Sequence, residues 1–89
     1  MNATWLPKRN DQFVWREVEG GVYVLGHEGA MLRVLNATGA LIWTLCDGTH
    51  AVEDICARLT EEFDVSPPDA RRDVQEFLDE LCQTGLIDQ

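Results

Sequence analysis

The sequence predicts an α+β domain in which a three-stranded antiparallel sheet is followed by a three-helix bundle. Two observations lead to this β-β-β-α-α-α order. Apolar residues recur with a period of about two up to residue 35, as in half-buried strands, and with a period of about 3.6 thereafter, as in amphipathic helices. Glycine-containing turns separate the segments of the first half, whereas helix-capping residues open those of the second half. Packing the apolar face of the sheet on the bundle is the simplest arrangement.

Residues 1–12 are predicted to form a flexible N-terminal arm, since Pro7 and the polar residues that follow it show no periodicity. Ordered structure is expected to begin near Phe13, so that residues 13–89 form one domain. A chain of 89 residues, 45% of them apolar, has material for one core and none for a second.

The three strands are predicted over residues 13–19, 22–25 and 30–35. The first two are rich in aromatic and β-branched residues, and the Gly20-Gly21 pair between them accepts the positive φ of a tight hairpin turn. Residues 26–29 form a second turn with glycine at both ends. In the third strand Leu32 and Val34 share one face, and Arg33 projects from the opposite face.

The first two helices are predicted from their caps and their apolar stripes. Asn36 or Thr38 caps the first helix, which ends at the Asp47-Gly48 pair. Thr49 opens the second helix, whose apolar residues then follow helical spacing as far as Phe63.

The third helix has the clearest start signal in the chain. Ser66 is its predicted cap, Pro67 occupies the first helical position, and Asp69 follows three residues after the cap. The apolar stripe continues to Gly85, where a glycine stop is expected.

The charge of the chain is strongly acidic and unevenly distributed. Seven basic residues oppose sixteen acidic ones, which gives a formal net charge of −9. Residues 1–45 hold four acids and four bases, so the whole excess lies in residues 46–89. Nucleic acid is a poor partner for such a chain, because its affinity comes chiefly from cations, and an anionic membrane surface is equally unsuitable. The excess predicts a solvated acidic face, which is also a candidate surface for docking a basic enzyme.

A cytoplasmic location is expected. No window approaches the roughly 18 apolar residues of a membrane-spanning helix, and the first ten residues lack the basic-then-apolar order of a signal peptide. The cysteines Cys46, Cys56 and Cys82 are odd in number and lie in apolar stripes, which is typical of free buried thiols in a reducing compartment.

The sequence offers little material for catalysis. His27 lies in a glycine-flanked turn and His50 at a helix start, and neither stands beside a predicted nucleophile. Cys46, His50 and Cys56 are spaced by four and six residues, unlike the ligands of structural zinc sites. No glycine-rich loop joins a strand to a helix. We therefore expect no enzyme activity, no metal and no cofactor.

The edge of the sheet is the remaining candidate for function, because an edge strand can accept an extended peptide. Arg33, Arg71 and Arg72 could rim a groove between the third strand and the third helix and bind a carboxylate of that peptide. The alternative for the two helical arginines is local pairing, of Arg72 with Glu76 and of Arg71 with Asp69 or solvent.

Two runs, LNATGALIWTLCDGTHAVEDI from Leu35 to Ile55 and DVQEFLDELCQTGLI from Asp73 to Ile87, resemble the PqqD family, the prototype of RiPP recognition elements. The resemblance covers roughly residues 15–88. Its most specific marks are Leu35-Asn36, Thr38, Trp43, Asp47-Gly48, Asp73-Val74, Phe77-Leu78, Leu81 and Gly85-Leu86.

The resemblance implies a winged-helix-like fold and a non-catalytic peptide chaperone. Such a chaperone binds the leader of a ribosomally synthesised precursor peptide as an added strand and presents it to a modifying enzyme, typically a radical SAM protein. The implied peptide-binding residues are Met31, Leu32, Arg33, Val34 and Leu35 on the strand, and Arg71, Arg72, Gln75, Leu78, Asp79 and Cys82 on the third helix. Residues 26–29 read GHEG where dedicated PQQ-pathway members favour a Pro-Glu pair, so the pathway stays open between PQQ and another RiPP.

Two further functions remain open at this point. The chain could be a structural or oligomerisation subunit whose edge strand pairs with its own copy, so that it would be a monomer or an edge-strand-exchanged dimer. A winged-helix DNA-binding regulator has the same elements, but its third helix would then bring five acidic residues to the phosphates.

Overall fold

The computed structural model describes residues 5–26 and 31–88. Its elements are, in chain order, β1 (Lys8–Arg9), β2 (Val14–Val18), β3 (Gly21–Leu25), β4 (Met31–Leu35), α1 (Ala37–Leu45), α2 (Val52–Glu62), α3 (Pro67–Gln83) and β5 (Ile87–Asp88). The predicted strands correspond to β2, β3 and β4, and the predicted helices to α1, α2 and α3, so the α+β order is confirmed. The turn predicted over residues 26–29, with His27, lies outside the described residues apart from Gly26.

The main sheet is antiparallel and has the strand order β2-β3-β4, which places β4 at an edge. Gly20 lies in the turn between β2 and β3 and has a φ of +75°, a conformation that favours glycine. A Cβ atom at Gly21 would lie 2.5 Å from the carbonyl oxygen of Leu35. The close approach of β3 to β4 therefore requires glycine at this position.

The two faces of the sheet have different surroundings. Val24 and Leu35 point toward the helices and are buried, whereas Tyr23 and Val34 lie on the outer face and are 38% and 59% exposed. Arg33 lies two residues before Leu35, so its side chain projects on the helical side, opposite to Val34. This alternation agrees with the predicted orientation of Arg33.

The helix caps follow from local sequence chemistry. Asn36 caps α1, since its Oδ1 accepts a hydrogen bond of 2.9 Å from the backbone N–H of Gly39. Ser66 caps α3 in the same way, through a 3.3 Å bond from the N–H of Asp69. Beyond the C-cap residue Cys46, Gly48 adopts a φ of +84° in the following loop, and its N–H donates to the carbonyl oxygen of Pro7 at 2.9 Å.

The predicted start of α2 at Thr49 is wrong by about one turn, because Thr49 belongs to the preceding loop. Its N–H and hydroxyl both donate to Asp47 Oδ1, at 2.9 and 2.6 Å. The helix begins at Val52 instead, and the N–H of Ala51 donates to Asp54 Oδ2 at 3.1 Å. An Asp side chain that binds the backbone two residues later competes with helix formation.

The core lies between the helix-facing side of the sheet and the three helices. Trp43 is completely buried at its centre, and the ring of Trp15 meets it edge-on with ring centroids 6.3 Å apart. The other fully buried apolar side chains include Val22, Val24, Ile55, Leu59, Val74, Leu78 and Leu81. The core therefore draws on every helix and on β3.

Residues 7–12 do not form the loose arm that the sequence predicts. β1 pairs antiparallel with β5, with Arg9 opposite Ile87, and Pro7 is fully buried. The Nη1 atom of Arg9 donates to the carbonyl oxygens of Trp43 and Thr44 at 2.8 and 3.0 Å. The carbonyl of Trp43 also accepts from the backbone N–H of Cys46 at 3.1 Å, so the arginine adds to the capping of α1 from a distant part of the chain.

Candidate functional site

β4 forms one open edge of the main sheet. Within the described residues β4 pairs with β3 alone, so its other edge presents backbone N–H and C=O groups to the surroundings. The backbone of the predicted binding strand, Met31 to Leu35, is this edge strand. The side chains of Met31 and Leu32 lie outside the described part of the structure.

A groove of about 430 Å³ lies beside β4, between that strand, the start of α1 and one face of α3. It is lined by Arg33, Val34, Leu35, Asn36, Thr38, Gly39, Ile42, Asp73 and Phe77. A Cβ atom at Gly39 would lie 3.3 Å from Phe77 Cζ. The glycine thus lets α1 approach the aromatic ring closely, and the ring forms an apolar surface within the groove.

Arg33 joins the two sides of this groove. Its Nη2 atom lies 2.7 Å from Glu80 Oε2 on α3, and its guanidinium lies 5.7 Å from the centroid of the Phe77 ring. The predicted contribution of Arg33 to the groove therefore agrees with the structure, but the cation already has an anionic partner within the chain.

Arg71 and Arg72 do not complete the predicted basic rim. Arg71 pairs with Glu53 at 3.8 Å and, with residues of α2, lines another cavity on that side of the domain. Arg72 pairs with Asp69 at 3.3 Å and with Asp73 at 3.7 Å. The alternative of local pairing thus describes them better, although the partners differ from those predicted.

The remaining predicted residues of α3 also lie away from the β4 groove. Leu78 is fully buried in the core, so its prediction as a peptide contact is wrong in this structure. Gln75 Nε2 donates to Asp79 Oδ1 at 3.1 Å along the helix surface. Asp79 and Cys82 line a separate cavity together with Trp5 and Gln83.

Sequence reasoning missed the three α3 residues that do face β4. Asp73, Phe77 and Glu80 follow one another at i, i+4 and i+7 and therefore share a stripe of the helix. Phe77 offered the available signal, because it widens the apolar stripe beyond Leu78 and Leu81 toward one flank. Arg33 offered a second signal, because a charged residue within a strand predicts an acidic partner nearby.

The histidine and cysteine side chains that the structure describes are at least partly buried or bonded to neighbouring residues, as in purely structural positions. His50 Nδ1 lies 3.0 Å from Asp47 Oδ1 in the loop before α2, and His27 lies outside the described residues. Cys46 is buried, and burial raises the pKa of its thiol to about 12, which disfavours the nucleophilic thiolate. Burial also raises the thiol pKa of Cys56 and Cys82. In residues 5–26 and 31–88, no three His, Cys, Asp or Glu side chains are grouped as metal ligands would be.

Across the same ranges, none of the helices combines the length and the apolar character that crossing a membrane requires.

Comparison with protein families shows which family this chain resembles. The model described as coenzyme PQQ synthesis protein D (PqqD) matches residues 21–87. A PqqA binding protein of Methylococcus capsulatus (strain Bath) is 34% identical over 73 residues, which cover 82% of this chain and 74% of that protein.

Solved structures with a similar fold include complexes with leader peptides. TbiB1 in complex with the TbiA(beta) leader peptide gives a TM-score of 0.79 at 28% identity, over 91% of this chain and 94% of TbiB1. Lasso peptide synthetase B1 complexed with the leader peptide gives a TM-score of 0.79 at 26% identity, over 94% of this chain and 99% of that chain. A heterocyclase in complex with substrate and cofactor gives 0.67 at 24% identity over 94% of this chain, but only 10% of that much longer chain, and supports the fold alone.

Proposed function

The chain belongs to the PqqD family, and from that premise we propose that it binds the leader of a ribosomally synthesised precursor peptide and presents it to a modifying enzyme. One observation carries the proposal: the open edge of β4 lies directly beside a groove that α3 closes and that contains the apolar ring of Phe77. An extended peptide placed there would extend the sheet and also contact the helix. Relatives of this fold have been solved with leader peptides bound.

Binding would combine two kinds of contact. Backbone pairing along β4 supplies affinity that does not depend on sequence, whereas pockets for alternate side chains supply specificity. Side chains on the inner face of the added strand would enter the groove beside Phe77, and those on the outer face would lie next to Val34, which is 59% exposed.

The chain would contribute no chemical step of its own. Holding the leader raises the local concentration of the rest of the precursor at the enzyme, so presentation alone accelerates modification. A cytoplasmic radical SAM enzyme of a PQQ or other RiPP pathway would be the partner, and no cofactor would be held by this chain. The acidic surface of α2 and α3 would dock a basic region of that enzyme.

An amide chemical-shift titration tests the proposal. Labelled protein is titrated with the leader half of a short peptide encoded beside its gene, and a scrambled peptide of the same composition serves as the control. We expect shifts in Met31–Leu35 and along the Asp73, Phe77 and Glu80 stripe with the leader alone. Equal shifts with both peptides, or shifts confined to the α2 side of the domain, contradict the proposal.

Self-association through the sheet is the second candidate function. The outer face of the sheet carries exposed apolar side chains that belong to all three strands: Val14, Val18, Tyr23 and Val34. Under this alternative β4 would pair with a second copy and bind no leader. Sizing across a range of concentrations separates the two functions, because only self-association changes with concentration.

DNA binding finds no support in the arrangement of α3. Its arginines, Arg71 and Arg72, are both ion-paired, and its exposed surface is dominated by carboxylates. Phosphate recognition would have to overcome this negative field.

A further inference from the structure

The charged side chains that line the β4 groove, Arg33 and Asp73, are unequally neutralised. Arg33 has Glu80 at 2.7 Å and the Phe77 ring beneath its guanidinium. Asp73 has a single cation in contact, Arg72 at 3.7 Å, within the described residues. Arg72 is also shared with Asp69 and its side chain is 62% exposed, so this contact compensates the Asp73 carboxylate only weakly.

Neighbouring acidic side chains on α3 add to the negative charge of Asp73 beside the groove. Asp69 and Glu76 lie one turn before and almost one turn after Asp73 on α3 and are exposed. Arg33 is the one cation that lines the groove in the described part of the chain, and Glu80 already offsets it. The helical wall is therefore negative, and it favours a cationic side chain over the carboxylate that sequence reasoning expected the ligand to carry.

The spacing of the two wall residues fits an added strand. Asp73 and Phe77 are four residues apart on α3, which is about 6 Å along the helix axis. Side chains on one face of a strand recur at every second residue, or about 6.6 Å. Two inward side chains separated by one residue can thus reach Asp73 and Phe77 together.

We infer that the peptide carries a lysine or arginine that pairs with Asp73, two positions away from an apolar side chain seated against Phe77. The inference rests on the proposed peptide binding and adds the charge and spacing of the peptide. Asp73 then acts as a specificity-determining residue, and the Arg33–Glu80 pair remains intact beside it.

A surface-displayed library of random 12-residue peptides provides the test. Parallel selections use the wild-type chain, Asp73→Asn and the matched control Asp79→Asn, which removes the same charge from another side of α3. We expect wild-type selection to enrich a basic residue two positions from an apolar one. The affinity of such a peptide falls roughly fivefold for Asp73→Asn, as an exposed ion pair implies, and is unchanged for Asp79→Asn. Asp73→Lys should shift the enrichment toward acidic residues.

The possible outcomes separate this inference from the function on which it rests. Peptides that are enriched without a basic preference, or that bind Asp73→Asn as tightly as Asp79→Asn, overturn the inference and leave peptide binding in place. Failure of any peptide to be enriched on the wild-type chain overturns the proposed function together with the inference.

Discussion

The guanidinium of Arg33 lies 2.7 Å from the carboxylate of Glu80 and so ties the edge strand of the sheet to α3. The pair stands beside the ring of Phe77, at the point where strand and helix form the two walls of the groove. Because each partner is fixed in a different element, the contact restrains the distance between those walls. It also removes Arg33 from the set of free cations that could attract an acidic ligand.

Glu80→Gln tests this restraint. Loss of the ion pair should lower the free energy of unfolding by only about 0.5 kcal/mol, since the side chains are 27% and 53% exposed. The freed charge of Arg33 should strengthen the binding of peptides that carry an acidic residue. Thermal unfolding and peptide titration measure the two effects. Glu76→Gln removes the same charge from α3 without touching Arg33, and an equal gain in that variant would show that only net charge matters.

Arg9→Ala tests the anchoring of the N-terminal segment. The change removes two hydrogen bonds to the last carbonyls of α1 and a cation–π contact with Trp15 at 4.9 Å. We expect a loss of about 1–3 kcal/mol in the free energy of unfolding, measured by urea denaturation. Lys8→Ala is the matched control, because the ion pair of Lys8 with Asp11 is exposed. If the two substitutions lowered the free energy of unfolding equally, Arg9 would not anchor residues 7–12, and the prediction of a loose arm would stand.

The sequence predicts the features that depend on local chemistry. The Asn36 and Ser66 caps and the Gly20 turn were predictable, because a cap or a turn involves neighbours within three or four residues. The pairing of β1 with β5 joins the two ends of the chain and has no local signal. Two residues per strand are too few to show an alternating pattern.

The face of α3 that lines the β4 groove was unpredictable for a different reason. A period of 3.6 identifies Val74, Leu78 and Leu81 as core, but it does not say which flank of that stripe meets β4. The predicted residues lie around the helix from the groove, which Phe77 lines. Only the packing of α3 beside the edge strand decides between the flanks.

Acid unfolding should depend on Asp47. A hydrogen bond from the Thr49 hydroxyl is the main reason that the pKa of the Asp47 carboxyl is lowered from 3.8 to about 2. A lowered pKa in the folded state stabilises that state above the unfolded value, so this contribution is complete above about pH 4 and disappears as the pH falls through 3.8 toward 2. Asp47→Asn should therefore flatten the dependence of the free energy of unfolding on pH in this range. Asp64→Asn, outside this loop, should leave the dependence steep, and an unchanged profile for Asp47→Asn would rule out the role of its carboxylate.

Phe77→Ala and Cys82→Ala decide which flank of α3 contacts the peptide. Both side chains are half-buried on the same helix, but Phe77 lines the β4 groove and Cys82 lines the cavity beside Trp5. Removing the ring should weaken the binding of a display-selected peptide by about tenfold or more, because its apolar contact surface is lost. Cys82→Ala should leave the affinity unchanged. Calorimetry measures both affinities, and circular dichroism confirms that each variant is folded. A larger loss for Cys82→Ala would move the site to the flank that the sequence predicted and away from the edge of β4.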